Sequence, residues 1–166
     1  MKSNREEVRD MRTLRSGSEP PLRKFILRFD GGSSGNPGPS AFCYIVMDEC
    51  ENVLCIHSEY IGIGTNNFSE YMGFLKGLEY LVNFTDPSRC EIKVETDSEL
   101  IVKQMSGEYS IRNSKLRKVA NTVKDLLAKF RNYDVSHIPR EENTADEFVR
   151  RVLTKWKRRK NVKDCG

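Results

Sequence analysis

Four acidic residues stand in local frames that would place a carboxylate at the end of a strand or near the start of a helix. Carboxylates that converge repel one another and lose hydration, so a fold that gathers four of them requires hard cations such as Mg²⁺. The pattern therefore indicates metal-dependent phosphoryl chemistry. The four are Asp30 in Phe-Asp-Gly-Gly, Glu70 in Thr-Asn-Asn-Phe-Ser-Glu-Tyr, Asp97 in Glu-Thr-Asp-Ser and Asp146 in Asn-Thr-Ala-Asp-Glu.

Each acid taken alone also has an ordinary structural explanation. Asp30 precedes two glycines and could lie in a turn, whereas Asp97 and Ser98 could cap a helix. Glu70 and Asp146 could stabilise helix N-termini through the helix dipole. Together the four favour the functional interpretation, because two carboxylates at strand ends and two in first helical turns can converge at one edge of an α/β sheet.

The composition limits the class of protein. A chain of 166 residues with 37% hydrophobic residues suits one domain with a real core. No apolar run is long enough to cross a bilayer, and the polar N-terminus lacks the apolar segment of a secretion signal. Five cysteines without a Cys-x-x-Cys pair favour reduced thiols. These features predict an intracellular protein, cytoplasmic or nuclear.

The charge is distributed unevenly. Residues 150–166 carry eight Lys/Arg and one acid, residues 1–24 carry seven Lys/Arg and four acids, and the stretch between them is acidic. A basic C-terminal end beside an acidic body is typical of a surface that attracts polyanions. The same basic run is also typical of a solvated helix end, so both interpretations stay open.

The spacing of apolar residues predicts a meander of strands followed by alternating helices and strands. The first 24 residues lack this periodicity and end in a proline-rich stretch, so they are predicted to form a flexible basic leader. A folded domain follows over 25–156, and then a basic tail over 157–166. Strands are predicted over 25–30, 41–48, 53–61, 90–96 and 133–138, and helices over 70–85, from 98, over 116–130 and over 145–156.

At this point the chain resembles the type 1 ribonuclease H family, in particular the branch without an inserted basic helix. The resemblance covers residues 25–153 and its motifs occur in the family's order. They are Phe-Asp-Gly-Gly-Ser-Ser-Gly-Asn-Pro-Gly-Pro at 29–39, Thr-Asn-Asn-Phe-Ser-Glu-Tyr at 65–71, Glu-Thr-Asp-Ser at 95–98 and His-Ile-Pro-Arg-Glu-Glu-Asn-Thr-Ala-Asp-Glu at 137–147.

The resemblance implies an α/β fold with a mixed five-stranded sheet, three antiparallel strands followed by two parallel ones, flanked by helices. It implies endonucleolytic cleavage of the RNA strand of an RNA/DNA hybrid, leaving 5′-phosphomonoesters. Two Mg²⁺ about 4 Å apart, with Mn²⁺ as a substitute, would activate a water and stabilise the phosphate. A monomer without a protein partner is expected.

The family's metal ligands carry over to the four acids, each at its motif position. Asp30 is expected to bridge both ions, Asp97 to lie beside the attacking water, Glu70 to serve the leaving-group side and Asp146 to complete the shell. The segment from Asn143 to Asp146 is one residue shorter than the family's usual spacing. The helix that carries Asp146 can therefore start at a different position.

Substrate contacts are implied at a second group of residues. The asparagines are candidates for minor-groove and backbone contacts, and the threonine for a DNA phosphate. Because Gly-Asn-Pro and Thr-Asn-Asn also form turns and caps well, the structural alternative stays open. The candidates are Asn36, Thr65, Asn66, Asn67 and Ser98.

Other functions compete with hybrid cleavage. A catalytically weak or silent nucleic-acid-binding module of the same fold would keep the motifs for structural reasons, and the chain could also be the nuclease domain of a retroelement. A 3′ to 5′ exonuclease of related architecture is disfavoured, because Phe29-Asp30-Gly31-Gly32 lacks the Asp-x-Glu expected on its first strand.

Overall fold

The five strands form a single mixed sheet in this computed structural model, which describes residues 21–163. The strands are β1 (Arg23–Ser33), β2 (Gly38–Asp48), β3 (Val53–Gly64), β4 (Cys90–Thr96) and β5 (Asn132–His137). Their order is β3-β2-β1-β4-β5. The pairs β1–β2 and β2–β3 are antiparallel, whereas β1–β4 and β4–β5 are parallel. The predicted fold class is confirmed.

In the part of the chain that the structure describes, four α-helices cover the sheet. They are α1 (Asn66–Phe84), α2 (Glu99–Met105), α3 (Ser114–Leu127) and α4 (Ala145–Lys163), and short 3₁₀ helices occur at Pro87–Arg89 and Arg140–Glu142. Within residues 21–163, none of the helices combines the length and the apolar character that a membrane span requires.

Several boundaries differ from the sequence prediction, and two of them lie beside the candidate acids. Helix α1 begins at Asn66, four residues before Glu70, because the Thr65 hydroxyl accepts a hydrogen bond from the Phe68 N–H (3.2 Å) and caps the helix. The prediction that Glu70 lies in the first turn is therefore wrong. Strand β1 continues past Asp30 to Ser33, since residues 31–33 still pair with β2.

The core has two layers, one on each face of the sheet. On one face α1 and α3 pack against the strands, and the rings of Phe29 and Phe74 stack with centroids 4.6 Å apart. On the other face α4 packs against a smaller cluster that includes Cys43 and Val149. Both sides of β2 are covered, which explains its nearly continuous apolar run.

The predicted leader and tail both extend into regular structure. Arg23 and Lys24 belong to β1, where the Lys24 ammonium lies 3.9 Å from the Glu91 carboxylate of β4. At the other end α4 continues through 157–163, because lysine and arginine are good helix formers and no glycine or proline interrupts the run. Residues 1–20 and 164–166 of the predicted leader and tail lie outside the described residues.

Candidate active site

Asp30 and Glu70 are brought together by the close approach of α1 to β1. A Cβ atom added to Gly31 would lie 2.2 Å from the backbone nitrogen of Glu70, and one added to Gly73 would lie 3.0 Å from the carbonyl oxygen of Asp30. Only residues without a side chain permit this approach. The Asp-Gly-Gly motif therefore serves as the packing surface for the helix that carries Glu70, not as a turn.

Asp97 directly follows β4, as predicted, and a buried amide fixes its orientation. The Asn143 Nδ2 donates to Asp97 Oδ1 (2.6 Å) and to the carbonyl oxygen of Phe29 (2.9 Å), so it connects the residue after β4 to the interior of β1. Next to it, Ser98 caps α2 and its hydroxyl donates to Glu70 Oε2 (3.2 Å). Two of the four carboxylates are thus held by neutral hydrogen-bond donors.

Asp146 lies in the first turn of α4 and is held by two arginines. Its Oδ1 accepts from Arg140 (3.3 Å) and its Oδ2 lies 2.7 Å from an Arg150 nitrogen. The short Asn143–Asp146 spacing is accommodated because the Asn143 side-chain oxygen accepts from the Ala145 N–H (3.3 Å) directly after the 3₁₀ helix. Helix α4 therefore begins at Ala145, one residue before Asp146, and directs Asp146 to the other acids.

All four acids line one open cleft of about 330 Å³. The remaining lining residues come from β1, the start of α1, the 3₁₀ helix at Arg140–Glu142 and α4. They are Gly31, Gly32, Ser33, Asn66, Arg140, Val149, Arg150 and Leu153.

The electrostatics of the cleft are unfavourable for its own carboxylates. Burial, together with repulsion from Asp97, Glu70 and Asp146, raises the pKa of Asp30 from an ordinary value of 3.8 to about 8. Burial and repulsion from Asp97 also raise the pKa of Glu70 to about 7, against the lowering effect of the Ser98 hydrogen bond. The cleft is therefore short of positive charge.

The donor set fits divalent magnesium or manganese. Carboxylate oxygens are the ligands that these hard cations prefer, and a bound cation would relieve the repulsion that raises the pKa values of Asp30 and Glu70. Within residues 21–163 no three Asp, Glu, His or Cys side chains are already arranged as a metal site. The reason is visible in the hydrogen bonds, since Asp97 faces Asn143 and Asp146 faces two arginines. The four acids therefore share a cleft without forming a ready-made metal site within residues 21–163.

Comparisons with known proteins point to one family. A protein-family model described as "Reverse transcriptase-like" matches residues 28–152. A ribonuclease H of Syntrophotalea carbinolica is 32% identical over 139 residues, covering 75% of this chain and 87% of that protein. The structure of LC11-RNase H1 in complex with an RNA/DNA hybrid is similar with a TM-score of 0.71 and 38% identity, covering 76% of this chain and 94% of the other. The chain belongs to the type 1 ribonuclease H family.

Some ribonuclease H relatives are much longer than this chain. A bifunctional protein of Mycobacterium tuberculosis is 35% identical over 122 residues, which are 73% of this chain but 33% of that protein. The chain thus spans about a third of the length of the first curated relatives that it matches. Between Asp97 and Asp146 the described chain forms α2, α3, β5 and a 3₁₀ helix. Membership of the branch without an inserted basic helix stays a prediction.

The predicted substrate residues of this ribonuclease H chain divide into two groups. Asn36 Oδ1 accepts from the Asn66 N–H (3.2 Å), and Asn66 Oδ1 accepts from the Ser33 N–H (2.8 Å). With Thr65 as the cap of α1 and Ser98 as the cap of α2, these four residues have structural roles. Asn67 differs, because its buried Oδ1 has no hydrogen-bond partner within residues 21–163.

A second cleft of about 440 Å³ lies on the other side of the start of α1. Asn36, Thr65 and Asn67 line it together with residues of β3 and α3 that no motif had indicated. Among them Lys115 adds a positive charge, and its ammonium lies 4.6 Å from the ring centroid of Phe68. The candidate substrate residues therefore flank a groove next to the four acids.

Three residues whose side chains contact the four acids were not predicted as site residues. Asn143 was noted only for its spacing, Arg140 stood in the fourth motif without a role, and Arg150 belonged to the basic C-terminal run. A signal for Arg150 was available, because an arginine four residues after an aspartate on a helix faces it. No such signal existed for Asn143, whose partners Phe29 and Asp97 are 114 and 46 residues away in the sequence.

Proposed function

We propose that the chain is a metal-dependent endoribonuclease that hydrolyses the RNA strand of RNA/DNA hybrids. The observation that carries the proposal is the convergence of Asp30, Glu70, Asp97 and Asp146 on one cleft in a ribonuclease H fold. The hybrid complex of LC11-RNase H1, which is 38% identical, supports the choice of substrate.

The four acids would hold two divalent cations, Mg²⁺ or Mn²⁺. When bound, the cations neutralise charge at the phosphate and activate the attacking water. Asp30 is the best candidate to contact both cations. It is the most buried of the four acids, and repulsion from the other three raises its pKa. Asp97, Glu70 and Asp146 would complete the two coordination shells.

The neighbouring residues orient these carboxylates. Asn143 holds Asp97 and Ser98 holds Glu70, which limits the conformations that the acids can adopt before a cation arrives. Arg140 and Arg150 form ion pairs with Asp146 and neutralise its charge. Both arginines are about 70% exposed, so their guanidinium groups can turn to a substrate phosphate once a cation takes their place.

Selection of a hybrid over other nucleic acids requires contacts with both strands. The carboxylate cleft would take the RNA strand, whose 2′-hydroxyl can donate and accept hydrogen bonds. The second cleft, with Asn67 and Lys115, would take the backbone of the DNA strand. The two clefts lie on either side of the start of α1, as two strands of one duplex would require.

The test is a cleavage assay with four internally labelled substrates, namely RNA/DNA hybrid, dsRNA, dsDNA and single-stranded RNA. We expect cleavage of the hybrid's RNA strand alone, in the presence of Mg²⁺ and not with EDTA. A circular hybrid should also be cut, which separates an endonuclease from an exonuclease. An Asp30→Asn variant purified in parallel controls for contaminating nuclease. Cleavage of dsRNA, or of the hybrid by the variant, would contradict the proposal.

A silent hybrid-binding module is the second candidate. The observation that favours it is the pairing of Asp146 with two arginines, which leaves no ready-made metal site among the described residues. Calorimetric titration of the chain with hybrid, once in Mg²⁺ and once in EDTA, separates the two functions. A silent module would bind hybrid equally well with and without the cation. The nuclease domain of a retroelement, a monomeric state and an intracellular location stay predictions.

A further inference from the structure

The C-terminal half of α4 carries a dense positive charge next to the carboxylate cleft. Residues 150–160 include seven Lys/Arg and no acid, and 157–160 are all exposed. The helix begins at the cleft and crosses the sheet towards its edge strand β3, where the rings of Trp156 and Tyr60 stack with centroids 5.4 Å apart. This contact fixes the direction in which the last turns of the helix leave the domain.

The basic residues fall on different sides of the helix. Arg150 lines the carboxylate cleft and contacts Asp146 four residues before it. Lys157 lies seven residues after Arg150 and Lys160 three residues further, the spacings that keep side chains on one face. Lys155 and Arg159 lie about 140° and 180° around the helix axis from Arg150. One row of cations therefore continues from the cleft, and another set faces away from it.

The row has a fixed position relative to the cleft. The Lys160 ammonium lies 5.1 Å from the ring centroid of Trp156, which is itself held by Tyr60. With a rise of 1.5 Å per residue, Arg150 and Lys160 are about 15 Å apart along the helix. That length matches about 4 to 5 base pairs of a duplex.

We propose that Arg150, Lys157 and Lys160 form a phosphate-binding row that extends the substrate site beyond the carboxylate cleft. The inference rests on the proposed function, since the ligand is the backbone of the same hybrid. A flexible tail would attract polyanions without holding its charges at fixed positions. A helix held by the Tyr60–Trp156 stack presents its cations at set distances from the acids. The row therefore contacts only hybrids that extend far enough past the cleft.

The test compares two double variants with the same loss of charge. Lys157→Gln with Lys160→Gln neutralises the row, and Lys155→Gln with Arg159→Gln is the matched control on the opposite side. Hybrid binding is measured by fluorescence anisotropy between 50 and 200 mM salt, about the range over which phosphate contacts dominate affinity. The binding experiments use an Asp30→Asn background, and the cleavage experiments use the parent chain.

For a hybrid extending at least about 5 base pairs past the cleft, the row variant should bind roughly tenfold more weakly, and its salt slope should fall by about two. The control variant should change both values much less. For a short hybrid confined to the cleft, the two variants should bind equally. Arginine at 157 and 160 should restore the affinity, which excludes a folding defect.

Equal losses in the row and control variants would overturn the inference, because they would indicate unspecific attraction by net charge. An equal loss on short and long hybrids would overturn it too. Neither result would affect the proposed function, which fails only if the parent chain does not cleave the hybrid's RNA strand with Mg²⁺. The two proposals are therefore tested separately by the same set of substrates.

Discussion

Two carboxylates on adjacent strands, Glu95 and Asp30, are almost equally buried, but their pKa values are shifted in opposite directions. Glu95 on β4 is 4% exposed and Asp30 on β1 is 7% exposed. The Glu95 carboxylate lies 2.6 Å from Arg28 and 2.7 Å from Lys93. Burial by itself would raise the pKa of Glu95, but the hydrogen bonds from these two cations outweigh it and the pKa is lowered. Asp30 has three acids near it and a pKa of about 8.

The difference shows that burial does not distinguish a structural acid from a functional one. Glu95 is compensated by cations of the protein itself, so it can stabilise the sheet. Arg28 lies two residues before Asp30 on the same strand, but it pairs with Glu95 and Glu51, and three acids surround Asp30 instead. The uncompensated region is the one we assign to metal binding and cleavage.

The sharpest test of this contrast is activity. Asp30→Asn should lower hybrid cleavage by about three orders of magnitude or more, because the amide keeps the shape but loses the anionic oxygen that would hold the cations. Glu95→Gln, in the same motif as Asp97, should retain activity within about tenfold. Single-turnover cleavage rates at saturating hybrid measure both effects. Comparable losses in the two variants would remove the distinction.

The order of the two variants in stability should be the reverse of their order in activity. Without divalent cations at pH 9, Asp30→Asn should raise the free energy of unfolding by on the order of 2 kcal/mol, because it removes a buried and repelled charge. Glu95→Gln should lower it by about 2 kcal/mol, because Arg28 loses its buried partner. Urea denaturation in EDTA measures both values. If both variants were destabilised, the acids of the cleft would be compensated by groups within the protein.

The pH dependence of stability should separate the two regions further. Because the folded-state pKa values of Asp30 and Glu70 are raised, their contribution is fully present below their unfolded pKa values near 4 and is lost as the pH rises towards 8. Because the pKa of Glu95 is lowered, its contribution is present above its ordinary value of 4.5 and is lost as the pH falls.

Thermal melting in EDTA from pH 4 to pH 9 tests this prediction. The gap between Asp30→Asn and the parent chain should grow as the pH rises, and saturating Mg²⁺ should close most of it at pH 8, because a ligand that binds only the folded state stabilises it. The gap between Glu95→Gln and the parent should instead shrink below pH 4.5. A constant gap for Asp30→Asn would contradict the raised pKa.

The smallest predicted effects concern neighbouring asparagines. Asn67→Ala should lower the efficiency of hybrid cleavage roughly tenfold with little loss of stability, since its Oδ1 has no partner to lose within the described chain. Asn66→Ala should lower the unfolding free energy by about 1 kcal/mol, because Ser33 loses the acceptor of its N–H. Steady-state kinetics and urea denaturation of the single variants measure both. If Asn66→Ala lowered activity and Asn67→Ala lowered stability, Asn66 would be the substrate-binding residue and Asn67 the structural one.

Much of the fold was predictable from local sequence. The strand over Cys90–Thr96 and the hairpin between β2 and β3 follow from alternation and turn residues, and the start of α4 at Ala145 follows from its apolar spacing. The motifs also identified the four acids that share the cleft. These features depend on residues within one element, where periodicity and capping are encoded directly.

The start of α1 was missed although its signal is local. Thr65 is a good N-cap residue, but the apolar pattern begins only at Tyr71, and the pattern was given more weight than the cap. The first residues of β1 were left out of the predicted strand for a different reason. Strand β1 begins at Arg23 because β4 is available beside it, and such pairing depends on a distant part of the chain.

The sequence by itself determined the family and the four acids that line one cleft, because each acid stands in a motif of that family. Only the tertiary structure decided how each acid is held. Asn143 reaches Phe29 across 114 residues, Gly31 sets the distance between β1 and α1, and α4 places Arg150 beside Asp146. The physical reason is that compensation of a buried charge depends on what stands within a few ångströms, and those neighbours come from all parts of the chain.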